Sequence, residues 1–258
     1  MTQEEMLRNV PETLRQIERD YGVKVLFAAE SGSRAWGFAS PDSDYDVRFI
    51  YVRREQDYLR LGKQRDVIEW QLDETLDING WDLQKALRLL HGSNPTLLEW
   101  CGSPVVYRTT EYWERVCRTA ETYFSEKACF LHYLSMAKHN YHAYLTGETV
   151  RLKKYLYVLR PVLAARWILT KHSIPPVAFA ELEAAMLPAD MTETVAALLE
   201  RKMQASESDA EPRIPKLHAY LEQSLSELDA AVSSLPADQP CDWAPLDQLF
   251  LDGIRFGG

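Results

Sequence analysis

The chain has 258 residues, of which 46% are hydrophobic and 26% charged, and its formal net charge is −9. A chain of this length and composition is typical of a globular protein that buries a sizeable core in one large domain or two modest ones. Its acidity argues against a general duplex-DNA binder, although a local basic groove is compatible with a negative total charge.

The sequence predicts a cytoplasmic protein that is not inserted in a membrane. No run approaches the roughly 18 consecutive apolar residues of a membrane span. The N-terminal residues are acidic and lack the cationic and apolar regions of a signal peptide. The cysteines form no CxxC pair, so they are typical of free thiols in a reducing compartment. They are Cys101, Cys117, Cys129 and Cys241.

The first part of the chain is predicted to be mixed α and β structure. Strands are predicted at residues 23–30, 45–53, 65–71 and 74–79. Helices are predicted at residues 3–20, 81–91 and 95–101, with a kink or break at Pro11 in the first of them.

From Thr109 onward the pattern is almost wholly helical. Helices are predicted near residues 110–124, 126–146, 150–172, 178–187, 191–206 and 213–234. Residues 205–212 resemble an exposed linker, and residues 236–258 look irregular. We therefore expect two domains, an α/β domain at 1–106 and a helical domain at 107–258.

A pair of carboxylates opens the second predicted strand. Asp44 and Asp46 are two residues apart, so they project from the same face. Two like charges so close repel, and each favours protonation unless a cation neutralises them. Oxygen ligands without thiolates or an imidazole cluster suit Mg²⁺. Simple turn chemistry is the alternative interpretation, but it does not explain two acids on an otherwise apolar strand.

A small turn, Gly32-Ser33, follows the first predicted strand and precedes the carboxylate pair by ten residues. Backbone N–H groups of such a turn offer a site for an anion. The turn is neither a P-loop nor a dinucleotide fingerprint, because it lacks Gly-Lys-Ser/Thr and has Arg34 in place of the second glycine. Arg34 is either a phosphate contact or simply exposed. A carboxylate pair beside a phosphate-sized turn indicates phosphoryl or nucleotidyl transfer.

Two-metal nucleotidyl transfer normally needs a third carboxylate. Asp77 is the preferred candidate, because it lies in a short apolar run that favours an inward position on a strand. Asp73 and Glu74 are predicted to lie in the preceding turn, and Asp82 in the first turn of the following helix. Asp66 and Asp73 remain open as alternatives for the third carboxylate.

The region from Thr149 to Ala180 contains no acidic residue. Lys153, Tyr157 and Arg160 follow helical spacing there and form a polar stripe beside a leucine-rich core face. Two cations that flank an aromatic ring suit a triphosphate or a stacked base, whereas a solvated cationic face is the plainer interpretation. The cations of this region are Arg151, Lys153, Lys154, Arg160, Arg166 and Lys171.

Three blocks of the sequence together resemble the RlaP/YcgL family of nucleotidyltransferases, in the DNA polymerase β-like superfamily. The blocks are GSRAWGFASPDSDYDVRFIY, WDLQKALRLLHGSNPTLLEWCGSPVVY and KKYLYVLRPVLAARWI. The resemblance implies an α+β fold: a small, mixed, polymerase β-like palm sheet flanked by helices, followed by an all-helical domain for substrate or nucleotide.

The resemblance also implies roles for individual residues. Gly32 and Ser33, with Arg34 beside them, would bind the terminal phosphates of a nucleotide. The catalytic carboxylates would bind two Mg²⁺ ions, with Mn²⁺ as an alternative, and would be Asp44, Asp46 and Asp77. Nucleotide contacts from the helical domain would be Lys153, Lys154, Tyr157 and Arg160.

The implied activity is transfer of NMP from an NTP, with ATP among the candidates, to an acceptor hydroxyl with release of pyrophosphate. An RNA 3′ end is the favoured acceptor, because the family is linked to RNA repair. One alternative is nucleotidylation, for example AMPylation, of a protein or small molecule, as in antitoxin or antibiotic-modifying relatives. Another is a non-catalytic nucleotide-binding module.

Overall fold

The computed structural model describes residues 2–62, 64–72, 75–204, 210–237 and 241–257, without the side chains of Gln71 and Leu72. The chain forms two compact units. Unit 1 contains Met1–Ala35, Asp44–Tyr123 and Pro240–Gly258, and unit 2 contains Trp36–Ser43 and Phe124–Gln239. Compared with the expected domains, residues 107–123 and the C-terminal segment group with the α/β part, and residues 36–43 group with the helical part.

Unit 1 is built on a mixed five-stranded sheet. Its strands are β1 (Val23–Glu30), β2 (Tyr45–Arg53), β3 (Val67–Leu72), β4 (Leu76–Asp82) and β5 (Val106–Arg108). They lie in the order β3-β4-β2-β1-β5. The β2–β4 pair is parallel and the other neighbouring pairs are antiparallel. The predicted α+β architecture with a small mixed sheet is therefore confirmed.

The sheet of unit 1 is buried along its central strands. Successive residues of β2, from Phe49 to Val52, are all at most 1% exposed. Because adjacent strand residues point to opposite faces, both faces of β2 are covered at this end. The helices of unit 1 are α1 (Gln3–Tyr21), α2 (Gly32–Trp36, whose last residue groups with unit 2), α3 (Glu55–Tyr58), α4 (Leu83–His91), α5 (Pro95–Cys101), α6 (Glu111–Ala120) and α12 (Ala244–Gly257).

Helix α1 is continuous through Pro11, so the predicted break is absent. The Thr2 side chain accepts a hydrogen bond from the Glu5 backbone N–H, the Glu5 side chain accepts one from the Thr2 N–H, and Gly22 ends the helix in the left-handed conformation. One apolar face of α1 packs on the sheet and is formed by Met6, Val10, Leu14 and Ile17. This continuous buried face explains why the helix tolerates an internal proline.

Two sequence predictions for unit 1 are wrong, one about the start of a helix and one about the C-terminal residues. The helix expected from residue 81 begins at Leu83, because Trp81 and Asp82 complete β4 and the Asp82 carboxylate caps the helix by accepting the Gln84 backbone N–H. The C-terminal residues are not irregular, since α12 spans Ala244–Gly257. Glycines inside α12 obscure its periodicity, and Gly253 is there because a Cβ at this position would meet Leu83 and Tyr112.

Unit 2 confirms the predicted series of helices. These are α7 (Glu126–Tyr144), α8 (Leu152–Lys171), α9 (Phe179–Met186), α10 (Thr192–Gln204) and α11 (Pro215–Ala231). A two-stranded antiparallel ladder, β6 (Thr149–Arg151) with β7 (Ala210–Pro212), was not predicted. It replaces part of the expected linker, and residues 205–209 of that linker lie outside the described residues.

Residues 36–43 are packed into unit 2 by buried contacts. The Lys202 ammonium donates to the Phe38 carbonyl oxygen at 2.8 Å and to the Ser40 hydroxyl at 2.9 Å. The Phe38 ring meets the Phe179 ring edge to face. Within the described ranges, no helix combines the length and apolarity needed to cross a membrane.

Candidate active site

Asp46 and Asp77 are register partners on the parallel strands β2 and β4. Neighbouring strands lie about 4.8 Å apart, so the two carboxylates come from adjacent backbone positions. Both side chains are partly buried, with 23% of Asp46 and 24% of Asp77 exposed. The placement of Asp77 on a strand beside the Asp44–Asp46 motif agrees with the sequence pattern.

Arg48 joins these two carboxylates. Its Nη2 atom donates to Asp46 Oδ1 at 2.8 Å and to Asp77 Oδ2 at 2.7 Å. Its Nη1 atom donates to the carbonyl oxygens of Val47 at 3.2 Å and Asp77 at 3.1 Å. The guanidinium therefore places a fixed positive charge between two acids. The sequence reasoning missed Arg48, although its spacing from Asp46 already puts both residues on one face of a strand.

Burial dominates the electrostatics of Asp46. The pKa of Asp46 is raised because burial disfavours its charged form, and the positive charge of Arg48 acts in the opposite direction. The negative charges of Asp44 and Asp77 raise the pKa further. This repulsion between neighbouring acids was expected from the sequence, and it favours the binding of a cation at Asp46 and Asp77.

Position 32 must be glycine because the Asp46 side chain lies so close that there is no room for a Cβ atom. Gly32 begins α2 with φ of +62°, a left-handed conformation that glycine adopts readily. A Cβ at this position would overlap Asp46 Oδ2. The Ser31 backbone N–H donates to the Asp46 carbonyl oxygen at 2.8 Å, and Ser33 is buried in α2. The Gly-Ser turn and the second acid of the motif are therefore in contact.

Glu30 is a further acid at this end of the sheet that sequence reasoning missed. It is completely buried at the end of β1 and accepts the Asp46 backbone N–H at 2.7 Å and the Tyr107 hydroxyl. Burial raises the pKa of Glu30 to about 7, against the opposing effect of the hydrogen bond from Tyr107. The available signal was a single acid that ends a strand whose other residues, apart from Lys24, are apolar.

Asp44 and Arg34 lie at the outer side of this site. Asp44 is exposed, and its carbonyl oxygen accepts a hydrogen bond from Arg34 Nε at 3.0 Å. The Arg34 guanidinium lies 3.7 Å from the centre of the Tyr45 ring, a cation–π contact. Arg34 is thus half-buried and held beside the motif, and its role in phosphate binding stays a prediction.

The other acids considered for the third carboxylate either lie far from Asp46 or belong to residues that the structure does not describe. The Asp82 backbone N–H donates to the Asp66 carbonyl oxygen, so Asp66 lies near the far end of β4. Asp82 is five residues beyond Asp77, which corresponds to about 17 Å along a strand. Asp73 and Glu74 fall outside the described residues. Of the described candidates, Asp77 is the one paired with Asp46.

The donor set fits a hard divalent ion. Among the described residues, no group of three or more His, Cys, Asp or Glu side chains is clustered to hold a metal ion. Mg²⁺ in nucleotide enzymes is commonly bound by one or two carboxylates together with substrate phosphates and water. The Asp46–Asp77 pair, with Asp44 two residues before Asp46, matches that requirement.

The nucleotide contacts predicted from the helical region belong to unit 2. Lys153, Lys154 and Tyr157 are partly exposed on α8, and the Lys154 ammonium lies 4.9 Å from the centre of the Tyr157 ring. Arg160 differs, because it is only 2% exposed, donates to the Val177 carbonyl oxygen and lies over the Trp36 ring. The predicted polar stripe therefore ends before Arg160.

The chain is similar to known proteins over most of its length. Residues 6–252 match the sequence model of the family described as "RlaP: RNA repair pathway DNA polymerase beta family". The chain is 42% identical over 254 residues to the uncharacterized protein YcgL of Bacillus subtilis (strain 168), with 97% of each chain covered. A solved structure, a nucleotidyltransferase-like protein from Exiguobacterium sibiricum 255-15, is 13% identical with a TM-score of 0.33, covering 93% of this chain and 77% of that one.

The family match and the close relative define the class. The chain is one of the polymerase β-like nucleotidyltransferases, with Asp46 and Asp77 on its mixed sheet. Within that class, it belongs to the RlaP family, and the match extends over both units.

Proposed function

We propose that this protein transfers a nucleoside monophosphate from an NTP to an acceptor hydroxyl, with an RNA 3′ end as the favoured acceptor. The observation that carries the proposal is the pairing of Asp46 with Asp77 beside Gly32, in a chain of this family. The RNA acceptor is supported by the description of the family as part of an RNA repair pathway.

The proposed reaction makes one bond and breaks one. The acceptor oxygen bonds to the α-phosphorus, the bond from that phosphorus to the bridging oxygen of the β-phosphate breaks, and pyrophosphate leaves. The acceptor proton passes to solvent. Divalent ions at the carboxylates would stabilise the charge on the attacking and leaving oxygens.

Individual residues have defined tasks in this proposal. Asp44, Asp46 and Asp77 would bind the ions, and the backbone of Gly32 and Ser33 would face the terminal phosphates. The positions of Asp46 and Gly32 support this division, because the turn and the carboxylate are in contact. The nucleotide-binding roles of Arg34, Lys153, Lys154 and Tyr157 stay predictions, as does that of the buried Arg160.

A transfer assay tests the proposal. The purified protein is incubated with Mg²⁺, each of the four α-³²P-labelled NTPs, and an RNA that carries either a free 3′ hydroxyl or a 3′ phosphate. We expect label on the RNA with the free hydroxyl and none on the blocked RNA. Label on a protein or small molecule alone would reject the RNA acceptor and keep the chemistry. No transfer to any acceptor, with NTP still bound by Asp46→Asn, would favour a non-catalytic binding module.

A further inference from the structure

Arg48 contacts both members of the carboxylate pair, and it is not part of the Gly-Ser or Asp-x-Asp motif. Both terminal nitrogens of Arg48 are engaged, one by the two carboxylates and one by two backbone carbonyl oxygens. The side chain is only 18% exposed. A guanidinium keeps its charge at all accessible pH values, so this positive charge is a permanent part of the site.

The contacts of Arg48 overlap with those that a divalent ion would need. Arg48 occupies one oxygen of Asp46 and one oxygen of Asp77, which belong to the proposed metal ligands. A cation at this position offsets the repulsion between two partly buried acids. The same positive charge also repels an incoming metal ion. Arg48 therefore acts on metal binding in two opposite ways, by ordering the carboxylates and by competing for them.

We infer that Arg48 is a positioning residue that keeps Asp46 and Asp77 together and limits their affinity for divalent ions. This inference rests on the proposed metal site. The competing effect dominates, because Arg48 takes up carboxylate lone pairs and adds a full charge within contact distance. Removing the guanidinium leaves two acids that only a metal ion or a proton can neutralise, so folding and metal binding become more strongly coupled.

The test compares Arg48→Gln with the wild type after metal is stripped with EDTA. Binding of Mn²⁺ alone is followed by electron paramagnetic resonance, and thermal unfolding is measured with and without Mn²⁺. We expect Arg48→Gln to bind Mn²⁺ roughly tenfold more tightly, since a neighbouring positive charge has gone. We also expect a lower unfolding temperature in EDTA and a larger rise on adding Mn²⁺.

Arg53→Gln is the matched control. Arg53 lies on the same strand and its Nε atom is 3.5 Å from Asp82 Oδ2, so the substitution also breaks an ion pair of a partly buried arginine. Its partner lies about 17 Å along the strand from Asp77, beyond a Debye length at physiological salt. We expect Arg53→Gln to lower the unfolding temperature without changing the affinity for Mn²⁺.

Arg48→Lys keeps the inference testable if Arg48→Gln does not fold. A lysine ammonium retains the charge but lacks the second terminal nitrogen, which in Arg48 donates to two backbone carbonyl oxygens and fixes the side chain. It should therefore hold the two carboxylates less firmly, and the Mn²⁺ affinity should rise by a smaller factor. Unchanged or weaker Mn²⁺ binding in whichever variant folds would overturn the inference. Absence of Mn²⁺ binding in the wild type, both alone and with NTP present, would instead reject the metal site and, with it, the proposed function.

Discussion

Asp46 of β2 and Asp77 of β4 lie side by side because their strands run parallel in direct register. The two residues are far apart in the sequence, and helix α3 and strand β3 lie between the two strands along the chain. A parallel pair brings equivalent ends of two strands to one edge of the sheet. The carboxylates therefore converge through long-range pairing, and Arg48 holds them together.

The first prediction concerns the two paired carboxylates. Asp46→Asn and Asp77→Asn should each lower the rate of nucleotidyl transfer by about 100-fold or more, since loss of an anionic metal ligand removes several kcal/mol of transition-state stabilisation. Labelled-NTP transfer at saturating Mg²⁺ measures the effect. Asp66→Asn is the control, because Asp66 pairs with Lys85 near the other end of β4 and should retain activity. Equal losses in all three variants would contradict the assignment of Asp77.

The second prediction separates backbone strain from crowding at Gly32. Gly32→Ala and Gly22→Ala place a Cβ on backbones with nearly the same φ, +62° and +61°. At Gly22 the nearest atom is 3.9 Å away, whereas at Gly32 the new carbon would overlap the Asp46 carboxylate. Both variants should lose about 1 kcal/mol of stability from the left-handed backbone. Only Gly32→Ala should also lose transfer activity and Mn²⁺ affinity.

Denaturant unfolding and the Mn²⁺ titration, run on both glycine variants, decide this second prediction. If Gly22→Ala loses activity to the same extent, the effect of Gly32 comes from general destabilisation and not from contact with Asp46.

Sequence alone was sufficient for the parts of the site that are local. The Gly-Ser turn and the spacing of Asp44 and Asp46 are encoded within one short segment, so strand geometry and turn chemistry identify them. Glu30 and Arg48 were missed because their partners depend on strand pairing. Glu30, for example, accepts a hydrogen bond from Tyr107, which is brought beside it only by the pairing of β5 with β1.

The same limit explains the errors in the fold. Helix α12 was missed because its apolar residues gain a partner only when they pack on the other elements of unit 1, where the Tyr112 hydroxyl donates to the Leu249 carbonyl oxygen. The grouping of residues 36–43 with unit 2 depends on Lys202, which is far away in the sequence. Periodicity detects a helix or a strand, but it does not reveal which distant side chain holds a loop.

The third prediction concerns the contacts by which Lys202 holds residues 36–43. Lys202 is 5% exposed and donates to the Phe38 carbonyl oxygen and the Ser40 hydroxyl. Lys202→Met should lower the free energy of unfolding by about 2–3 kcal/mol, because buried acceptors lose a charged donor. Limited proteolysis should then cut residues 36–43 faster.

Lys216→Met is the control for this variant, since the exposed Lys216 ammonium donates to the Asp190 carbonyl oxygen at the surface of unit 2. It should change stability by less than about 0.5 kcal/mol. Urea unfolding followed by tryptophan fluorescence compares the two. A similar small loss in both variants would show that the buried contacts of Lys202 do not hold the segment.

The fourth prediction concerns the pH dependence of stability through His218. This side chain is 6% exposed, and its Nδ1 atom is 3.3 Å from the Tyr155 hydroxyl oxygen. Burial lowers the pKa of His218 from its ordinary 6.5, the nearby positive charge of Arg213 lowers it further, and Glu222 and a backbone hydrogen bond with Leu145 oppose the shift.

The sign of the effect follows from which state binds the proton first. As pH falls below 6.5, His218 of the unfolded chain is protonated before that of the folded chain. The contribution of His218 to stability is therefore fully present above that pH and is lost as pH falls through the folded-state pKa. The difference in unfolding temperature between wild type and His218→Gln should shrink between about pH 7.5 and about pH 5.5. Because the other titrating groups are common to both proteins, a difference that stays constant over this range would contradict the role of His218.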